Sequence, residues 1–248
     1  MPAANGKIKG ILFDMGSTLL EFENHSWEEL DGRSISAAYD FLRKTGHQLP
    51  EFSGFEKSFR SVLAEYWSST NQTLEEKPLA HLLELGLSRA GFERNGLNME
   101  ELGRVFYQPI RSQITEYDDA VDVLNWLREK NLALAVVSNS IFPREYHLED
   151  LQTFRLAPFF HTALFSSEIG RRKPHPDIFH RALSALSLRP EEVIFVGDRM
   201  REDVLGPQKL GIRAVLKHHP KRDYSLGGKP LATVANLREL LPIVKKHI

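Results

Sequence analysis

Short apolar runs alternate with amphipathic stretches over the second half of the chain. Runs typical of buried strands are found at 132–138, 162–165, 193–196 and 213–216. Apolar residues recur at helical spacing around them, which predicts helices at 119–130, 145–154, 176–186, 202–210 and 236–246. An earlier apolar run, 11–13, ends at the carboxylate of Asp14. This alternation indicates a parallel sheet that is covered by helices on both faces.

The stretch between the first strand and residue 118 has a different pattern. Apolar stripes predict helices near 26–45, 55–67, 79–90 and 99–113, and no convincing strand is found among them. We therefore predict an α/β protein of Rossmann-like type whose core comprises residues 1–20 and 118–248. Residues 21–117 are predicted to form an all-helical domain that is inserted after the first strand.

The composition limits the classes of protein that fit this pattern. The 32 basic and 33 acidic residues nearly balance, so there is no electrostatic case for a nucleic-acid partner. Cysteine is absent, which excludes disulfides, thiolate chemistry and a cysteine-based zinc site. No apolar run approaches the roughly 20 residues that span a membrane, and the first residues lack the apolar core of a signal peptide. We expect a cytoplasmic protein without a membrane partner.

Candidate chemistry collects at the predicted carboxyl ends of the strands. The candidates are polar residues that end a strand, follow it directly or lie in the next loop: Asp14, Ser138, Asn139, Lys173, Asp198 and Asp203. In an open α/β sheet, ligands bind outside the carboxyl ends of the strands. We therefore expect these side chains to lie close together at one edge of the sheet.

This set of side chains suits phosphate chemistry. Clustered carboxylates without cysteine favour a hard cation such as Mg²⁺. A lysine and a hydroxyl beside the cation suit the oxygens of a phosphate group. A carboxylate such as Asp14 can also attack phosphorus and form an aspartyl-phosphate. The residues thus predict phosphoryl transfer through Asp14 from a small phosphorylated substrate.

Four motifs, taken in order, resemble those of the haloacid dehalogenase-like hydrolases, a superfamily made up largely of phosphatases. The family patterns are DxDGT(L/V), a hydrophobic strand that ends in Ser or Thr, KPxPxxF and GDxxxxD. The matching segments are Asp14-Met15-Gly16-Ser17-Thr18-Leu19, Val136-Val137-Ser138-Asn139, Lys173-Pro174-His175-Pro176-Asp177-Ile178-Phe179 and Gly197-Asp198-Arg199-Met200-Arg201-Glu202-Asp203. The resemblance implies an α/β core with a helical type 1 cap, which coincides with the predicted insertion.

The resemblance also implies roles for the matching residues that face substrate. Asp14 would be the nucleophile, and Lys173 would steady Asp14 and hold phosphoryl oxygens together with Ser138. Asn139 and Thr18 complete the predicted substrate-binding set.

The implied metal site consists of oxygen ligands. Asp14, the backbone carbonyl of Gly16 and Asp198 would hold Mg²⁺, with Asp203 bound directly or through water.

In the family pattern, however, the position of Gly16 carries a second aspartate, the general acid and base. Proton transfer of this kind is typically worth roughly 10²–10⁴-fold. The sequence therefore predicts a slow phosphatase, or one restricted to leaving groups that depart without a proton, such as aryl or acyl phosphates.

Glycine at position 16, in place of the second aspartate, leaves two other functions and one substitute acid open. A phosphate- or metabolite-binding or regulatory protein without turnover would also tolerate Gly16. The 2-haloacid dehalogenases lack the second aspartate and need no metal, but by the resemblance they do not keep Asp198 and Asp203 in this acidic form. His25, at the edge of the predicted cap, is a candidate replacement for the acid.

The remaining basic residues are interpreted as solvated. Arg171, Arg172 and Arg199 are assigned to exposed loop positions, where they would at most widen the positive potential around a phosphate. The basic cluster at 217–222 is predicted to be a solvated surface segment, within a flexible loop at 217–230.

Overall fold

The computed structural model of the protein describes residues 6–92 and 96–248. The strands are β1 (Gly10–Phe13), β2 (Leu20–Glu21), β3 (Thr115–Glu116), β4 (Ala133–Ser138), β5 (Thr162–Phe165), β6 (Val193–Gly197), β7 (Arg213–Lys217) and β8 (Ala232–Val234). The helices are α1 (Trp27–Lys44), α2 (Phe52–Thr73), α3 (Leu79–Arg89), α4 (Met99–Arg111), α5 (Ala120–Glu129), α6 (Arg144–Thr153), α7 (Ser166–Ile169), α8 (Pro176–Leu186), α9 (Gly206–Gln208) and α10 (Leu240–Lys245). Short 3₁₀ turns are at Ala157–Phe159, Pro190–Glu192 and Leu237–Glu239, and a π-helix is at Met200–Leu205.

A six-stranded parallel sheet forms the centre of the molecule. Its strand order is β5-β4-β1-β6-β7-β8, and every neighbouring pair is parallel. β1 therefore lies in the interior of the sheet, between β4 and β6. The carboxyl end of β1 is flanked by the ends of two other strands, which is the arrangement that gathers loop residues at one edge.

Helices cover both faces of this sheet. Ile11 and Phe13 of β1 belong to one apolar cluster, which includes Leu124 of α5. Leu12, which points to the opposite face, belongs to a second cluster with Phe179 of α8. Alternate residues of one strand are thus buried on both sides, as a doubly covered parallel sheet requires. The predicted α/β fold class is confirmed.

The described residues between β2 and β3 form four helices, α1 to α4. Their positions agree with the four predicted helices, although α2 is longer than predicted at both ends. The two short strands pair antiparallel, with Leu20 opposite Glu116, so the segment leaves and returns at adjacent points. The prediction of no convincing strand between about residues 26 and 117 is wrong for β3, because a strand of two residues is too short to show alternation. The division into a core and a cap stays a prediction, and residues 1–5 and 93–95 of those ranges lie outside the described residues.

The largest local difference from the predicted elements follows β6. A helix was expected over 202–210, and the chain instead forms a π-helix and the short α9. Gly206 and Pro207 are poor residues for the interior of an α-helix, which accounts for the interruption. β8 was not predicted at all. Over the two described ranges, no helix combines the length and apolar character that crossing a bilayer requires.

Candidate active site

Three carboxylates meet at the carboxyl edge of the sheet. Asp14 follows β1 directly, Asp198 follows β6, and Asp203 lies in the π-helix that comes next. All three side chains are buried, and one carboxylate oxygen from each lies within 4.8 Å of the other two. The backbone nitrogen of Asp14 donates to the carbonyl of Val196 at 2.8 Å, which ties the end of β1 to β6. The expected convergence of these carboxylates is observed.

Lys173 lies between two of these carboxylates. Its Nζ is 2.7 Å from Oδ1 of Asp14 and 2.7 Å from Oδ1 of Asp203, and the side chain is only 2% exposed. Burial lowers the pKa of Lys173, but the attraction of Asp14 and Asp203 outweighs it, so the pKa is raised above its usual value. The ammonium group is therefore held in its charged form.

Asn139 fixes the backbone of Lys173. Its side-chain Oδ1 accepts from the backbone nitrogen of Lys173 at 2.7 Å, and its Nδ2 donates to the backbone carbonyl of Lys173 at 3.0 Å. Ser138, the last residue of β4, is buried beside it. The structure thus places Ser138, Asn139 and Lys173 together, with the amide of Asn139 engaged in positioning the lysine loop.

Asp203 uses both carboxylate oxygens within the protein. Oδ1 accepts from Lys173, and Oδ2 accepts from the backbone nitrogen of Arg199 at 2.9 Å. Any Cβ at position 197 would collide with the Asp203 carboxylate, so glycine is required there by close approach. Burial raises the pKa of Asp203 to about 7, against the opposing effect of Lys173.

Asp198 has a buried carboxylate oxygen without a partner among the described residues. The side chain is 0% exposed, and its Oδ1 has no hydrogen-bond partner within the described parts of the chain. Its Oδ2 accepts from Nε of Arg222. Burial and the neighbouring Asp14 raise the pKa of Asp198, although Arg222 opposes the shift. A buried carboxylate oxygen without a partner, beside a second carboxylate, is chemically suited to a hard divalent cation.

Gly16 lies in the turn that follows Asp14. A Cβ placed there would meet only Cδ2 of Phe22, at 3.7 Å, which is ordinary contact. The next residue, Ser17, has a φ of 55°, in the left-handed region that favours glycine. A Cβ is therefore sterically compatible with position 16, so close approach of neighbouring atoms does not require glycine there.

Arg222 is a site residue that sequence reasoning missed. Its Nη1 and Nη2 donate to the two oxygens of Glu23 at 2.9 and 2.6 Å, and Nη2 also donates to Oγ of Ser17 at 3.0 Å. Burial raises the pKa of Glu23, but Arg222 and Arg199 outweigh that effect and hold it at about 2. Arg222 therefore joins the turn after β1 to Asp198.

The prediction that 217–222 is a solvated surface segment is wrong for three of its residues. Besides Arg222, Lys217 is buried and donates to the carbonyl of Ser17 at 2.9 Å. His219 is also buried, with Nε2 at 3.1 Å from Oε2 of Glu21. The physical reason is that β7 extends through Lys217, so the segment begins at the same sheet edge as the site. The rule on carboxyl ends of strands, applied to β7, would have identified it.

A cavity of about 420 Å³ opens above these groups, between the sheet edge and helices α1, α2 and α4. Asp14, Gly16, Ser138, Asn139 and Lys173 form part of its wall. The opposite wall comes from the helical segment: Trp27, Asp31, Leu63, Trp67, Asn71 and Phe106. A volume of this size, enclosed by aromatic and charged side chains, suits a small molecule.

Two predicted residues lie elsewhere. Thr18 is fully buried behind the turn and does not line the cavity, and its Oγ1 has no hydrogen-bond partner among the residues that the structure describes. His25 is paired with Glu29 on α1 at 3.2 Å, and it does not line the cavity either. The structure therefore places neither side chain where it would contact a ligand in the cavity.

Comparison with known proteins places this geometry in a family. A family model described as haloacid dehalogenase-like hydrolase matches residues 8–211. The glyceraldehyde 3-phosphate phosphatase of Methanopyrus kandleri is 26% identical over 243 residues, which cover 96% of this chain and 98% of that protein.

Two further similarities differ in extent. The phosphoserine phosphatase of Thermus thermophilus is 34% identical over 140 residues, covering 56% of this chain and 55% of that protein. Among solved structures, the 2-haloacid dehalogenase of Pseudomonas syringae pv. Tomato superposes with a TM-score of 0.68 at 21% identity, covering 96% of this chain and 99% of that one. At this level of identity the structural similarity supports the fold alone.

Proposed function

Because the chain belongs to the haloacid dehalogenase-like hydrolases, we propose that this hydrolase removes phosphate from a small phosphorylated metabolite through an aspartyl-phosphate on Asp14. The observation that carries the proposal is the contact of Lys173 with both Asp14 and Asp203 at the floor of one cavity. The relatives named as phosphatases, one of which is matched over almost its whole length, support a phosphate ester as substrate.

In the proposed reaction, an oxygen of Asp14 attacks phosphorus. A bond forms between that oxygen and phosphorus while the bond from phosphorus to the ester oxygen breaks, and the electron pair leaves with the ester oxygen. Lys173 and Ser138 would hold the phosphoryl oxygens as charge develops on them. Water then forms a bond to phosphorus while the bond from phosphorus to the Asp14 oxygen breaks, and its electron pair restores the Asp14 carboxylate. The protons of the water leave with inorganic phosphate or pass to solvent.

Mg²⁺ fits the donor set as a cofactor. Asp14, the carbonyl of Gly16 and Asp198 would hold it. Asp203 is proposed to bind directly or through water, although both of its carboxylate oxygens also accept hydrogen bonds within the protein. The buried, unpartnered Oδ1 of Asp198 supports this assignment. When bound, Mg²⁺ supplies positive charge that offsets the repulsion between the phosphate and the carboxylates.

The residue at position 16 limits the leaving group. Glycine cannot donate a proton to the departing oxygen, so substrates whose leaving group is stable as an anion are favoured. We therefore propose that acyl and aryl phosphates are hydrolysed faster than ordinary sugar phosphates. The helical segment 21–117 is proposed to act as a cap that excludes water from the cavity. The cysteine-free composition agrees with a proposed cytoplasmic location.

A second candidate is a phosphate-binding protein without turnover. It is favoured by Gly16 and by the hydrogen bond from Arg222 to Asp198. The guanidinium of Arg222 thereby places a positive charge on a carboxylate that is proposed to bind the metal. Dehalogenation is less favoured, because Asp198 and Asp203 are retained as buried carboxylates beside Asp14.

Hydrolysis of p-nitrophenyl phosphate with Mg²⁺, and with Mg²⁺ removed by EDTA, tests the proposal. We expect turnover that requires Mg²⁺ and falls to background in Asp14→Asn. Asp40→Asn, an exposed aspartate on α1, is the matched control and keeps wild-type turnover. Absence of hydrolysis, or hydrolysis that persists in Asp14→Asn, would refute the mechanism. Phosphate binding without any turnover would favour the second candidate.

A further inference from the structure

Arg172 places a largely buried positive charge on the cavity wall. The residue precedes Lys173 and was predicted to lie in solvent, but its side chain is only 15% exposed and lines the cavity. Its guanidinium makes no hydrogen bond to any residue that the structure describes, and the buried Nη1 is left without a partner. Guanidinium groups stay charged in proteins and are normally paired when they are buried.

The surrounding residues that the structure describes hold Arg172 in place but do not accept a hydrogen bond from its guanidinium. Its backbone nitrogen donates to the carbonyl of Leu74 at 3.1 Å, and its guanidinium carbon lies 5.2 Å from the centre of the Trp67 ring. The carboxylate it pairs with, Glu76, is 3.8 Å from Nε, beyond hydrogen-bond distance. The oxygens of Glu76 instead accept from Tyr66 and Ser166.

Charges of both signs lie near Arg172, and Glu202 lines the cavity together with it. Arg199 also lines the cavity, and its one ion pair among the described residues is a 3.4 Å contact with Glu23, a carboxylate already engaged by Arg222. Burial lowers the pKa of Arg172. The carboxylates of Glu76 and Glu202 oppose this shift, and the positive charges of Arg199 and Arg201 add to it. An anion in the cavity would be attracted to this position.

We propose that Arg172 binds a second anionic group of the substrate, so that the preferred substrate is a small phosphate ester that also carries a carboxylate or a second phosphate. This inference rests on the proposed phosphatase function, since it places the reacting phosphate at Asp14. Arg172 and Lys173 are consecutive, and consecutive Cα atoms are about 3.8 Å apart. Both residues line one cavity of about 420 Å³, so one small molecule can reach both.

Trp67 strengthens the proposed contact. The indole lies against the guanidinium and forms part of the cavity wall, with Trp27 and Phe106 also lining the cavity. Apolar surroundings lower the local dielectric, which strengthens a charge-assisted hydrogen bond. The rigid fork of arginine also suits the two oxygens of a carboxylate or phosphate.

Binding of phosphonates, which cannot be hydrolysed, tests this inference without turnover. Calorimetry measures the affinity for ethylphosphonate, which has one anionic group, and for phosphonoacetate, 3-phosphonopropionate and 4-phosphonobutyrate, which also carry a carboxylate. Methylenediphosphonate, with a second phosphonate, shows whether a phosphate or a carboxylate is preferred as the second group. We expect at least one two-anion ligand to bind roughly tenfold or more tightly than ethylphosphonate, as a hydrogen bond to a charged partner provides.

The readout is a ratio within each variant: the affinity for the two-anion ligand divided by the affinity for ethylphosphonate. A loss of affinity that affects both ligands equally does not change this ratio. The ratio is expected to fall to near one in Arg172→Met and to an intermediate value in Arg172→Lys. Arg171→Met is the matched control and keeps the wild-type ratio, because Arg171 is 38% exposed, pairs with Glu75 and does not line the cavity.

Equal binding of one-anion and two-anion ligands by the wild-type protein, or no binding of either, overturns the inference. So does a preference that survives in Arg172→Met. The proposed catalytic function fails in a different assay, the hydrolysis of p-nitrophenyl phosphate, which has no second anionic group. The two failures are therefore distinguishable.

Discussion

Gly16 decides how much catalysis the proposed site can deliver. It follows the nucleophile by two residues, at the position where the family pattern has its second aspartate. The turn around it is intact, since Asp14 is anchored to β6 and Ser17 is held by Arg222. A Cβ at position 16 would contact only Phe22. The missing carboxylate is therefore a difference in chemistry and not a collapse of the turn.

Gly16→Asp is expected to raise the rate for phosphate esters with poor leaving groups by roughly 10²–10⁴-fold, the usual range for general acid–base catalysis. The rate for p-nitrophenyl phosphate should rise much less, because p-nitrophenolate departs without a proton. Gly16→Asn is the matched control, with nearly the same size and no acidic proton. An equal rise in Gly16→Asn, or no rise in Gly16→Asp, would show that the missing acid is not what limits turnover.

At the scale of elements, the segment 217–222 completes the site. It leaves β7 at the edge where β1 and β6 end. Lys217 and Arg222 contact Ser17 in the turn after β1, and His219 contacts Glu21 of β2. Arg222 bridges Glu23 and Asp198, two carboxylates on different elements. Without that bridge, both carboxylates would lose the positive charge that offsets their burial.

Arg222→Met is expected to lower the free energy of unfolding by about 3–5 kcal/mol, the usual effect of removing one partner from a buried ion pair. Lys229→Met is the control, because Lys229 is exposed on the same loop. Denaturant unfolding near neutral pH measures both. A loss no larger than that of Lys229→Met would mean that the carboxylates are solvated or protonated in the variant.

At the scale of the whole molecule, the helical segment and the sheet are joined around one cavity. Glu76, between α2 and α3, is buried and accepts from Tyr66 of α2 and from Ser166, the first residue of α7. Asp31 of α1 lines the cavity and is only partly exposed. Burial raises the pKa of Asp31 to about 6, although Arg60 opposes the shift.

This burial makes the stability of the whole protein depend on pH. Below the unfolded-state pKa, near 3.8, Asp31 is protonated in both states. As pH rises from about 3.8 to about 6, the unfolded chain ionises this carboxyl while the folded protein still holds it protonated. The stability that protonated Asp31 contributes is therefore lost progressively and is gone once pH has risen through 6. Asp31→Asn is therefore expected to raise the free energy of unfolding by about 2 kcal/mol at pH 7.5, with the gain shrinking toward pH 4.

Denaturant unfolding of wild type and Asp31→Asn from pH 4 to pH 8 measures this dependence. Asp40→Asn, on the exposed side of the same helix, should show no pH-dependent gain. A gain of the same size at pH 4 and pH 7.5 would indicate that the effect of Asp31→Asn is not the ionisation of this carboxyl.

Elements with strong local periodicity were predictable. The strand at 162–165 and the helix at 176–186 have the same bounds in the structure as in the sequence pattern. The placement of Asp14, Lys173 and Asp198 was also predictable, because each lies at or beyond the end of a strand in a parallel sheet. Very short elements, such as the strands β2 and β3, were not predictable from the sequence, since two residues show no periodicity.

The amino-acid sequence by itself determined the α/β alternation, the position of the helical segment and the convergence of the carboxylates with Lys173. These features follow from periodicity and from the rule that parallel strands end at one edge. Only the tertiary structure decided the partners of Arg172, Lys217 and Arg222 and the burial of Asp31. Those depend on contacts between residues far apart in the chain, such as Glu23 with Arg222, and on loop paths that no local pattern encodes. Whether a charged side chain is solvated or buried is set by such contacts, because burial is a property of the folded neighbourhood and not of the residue.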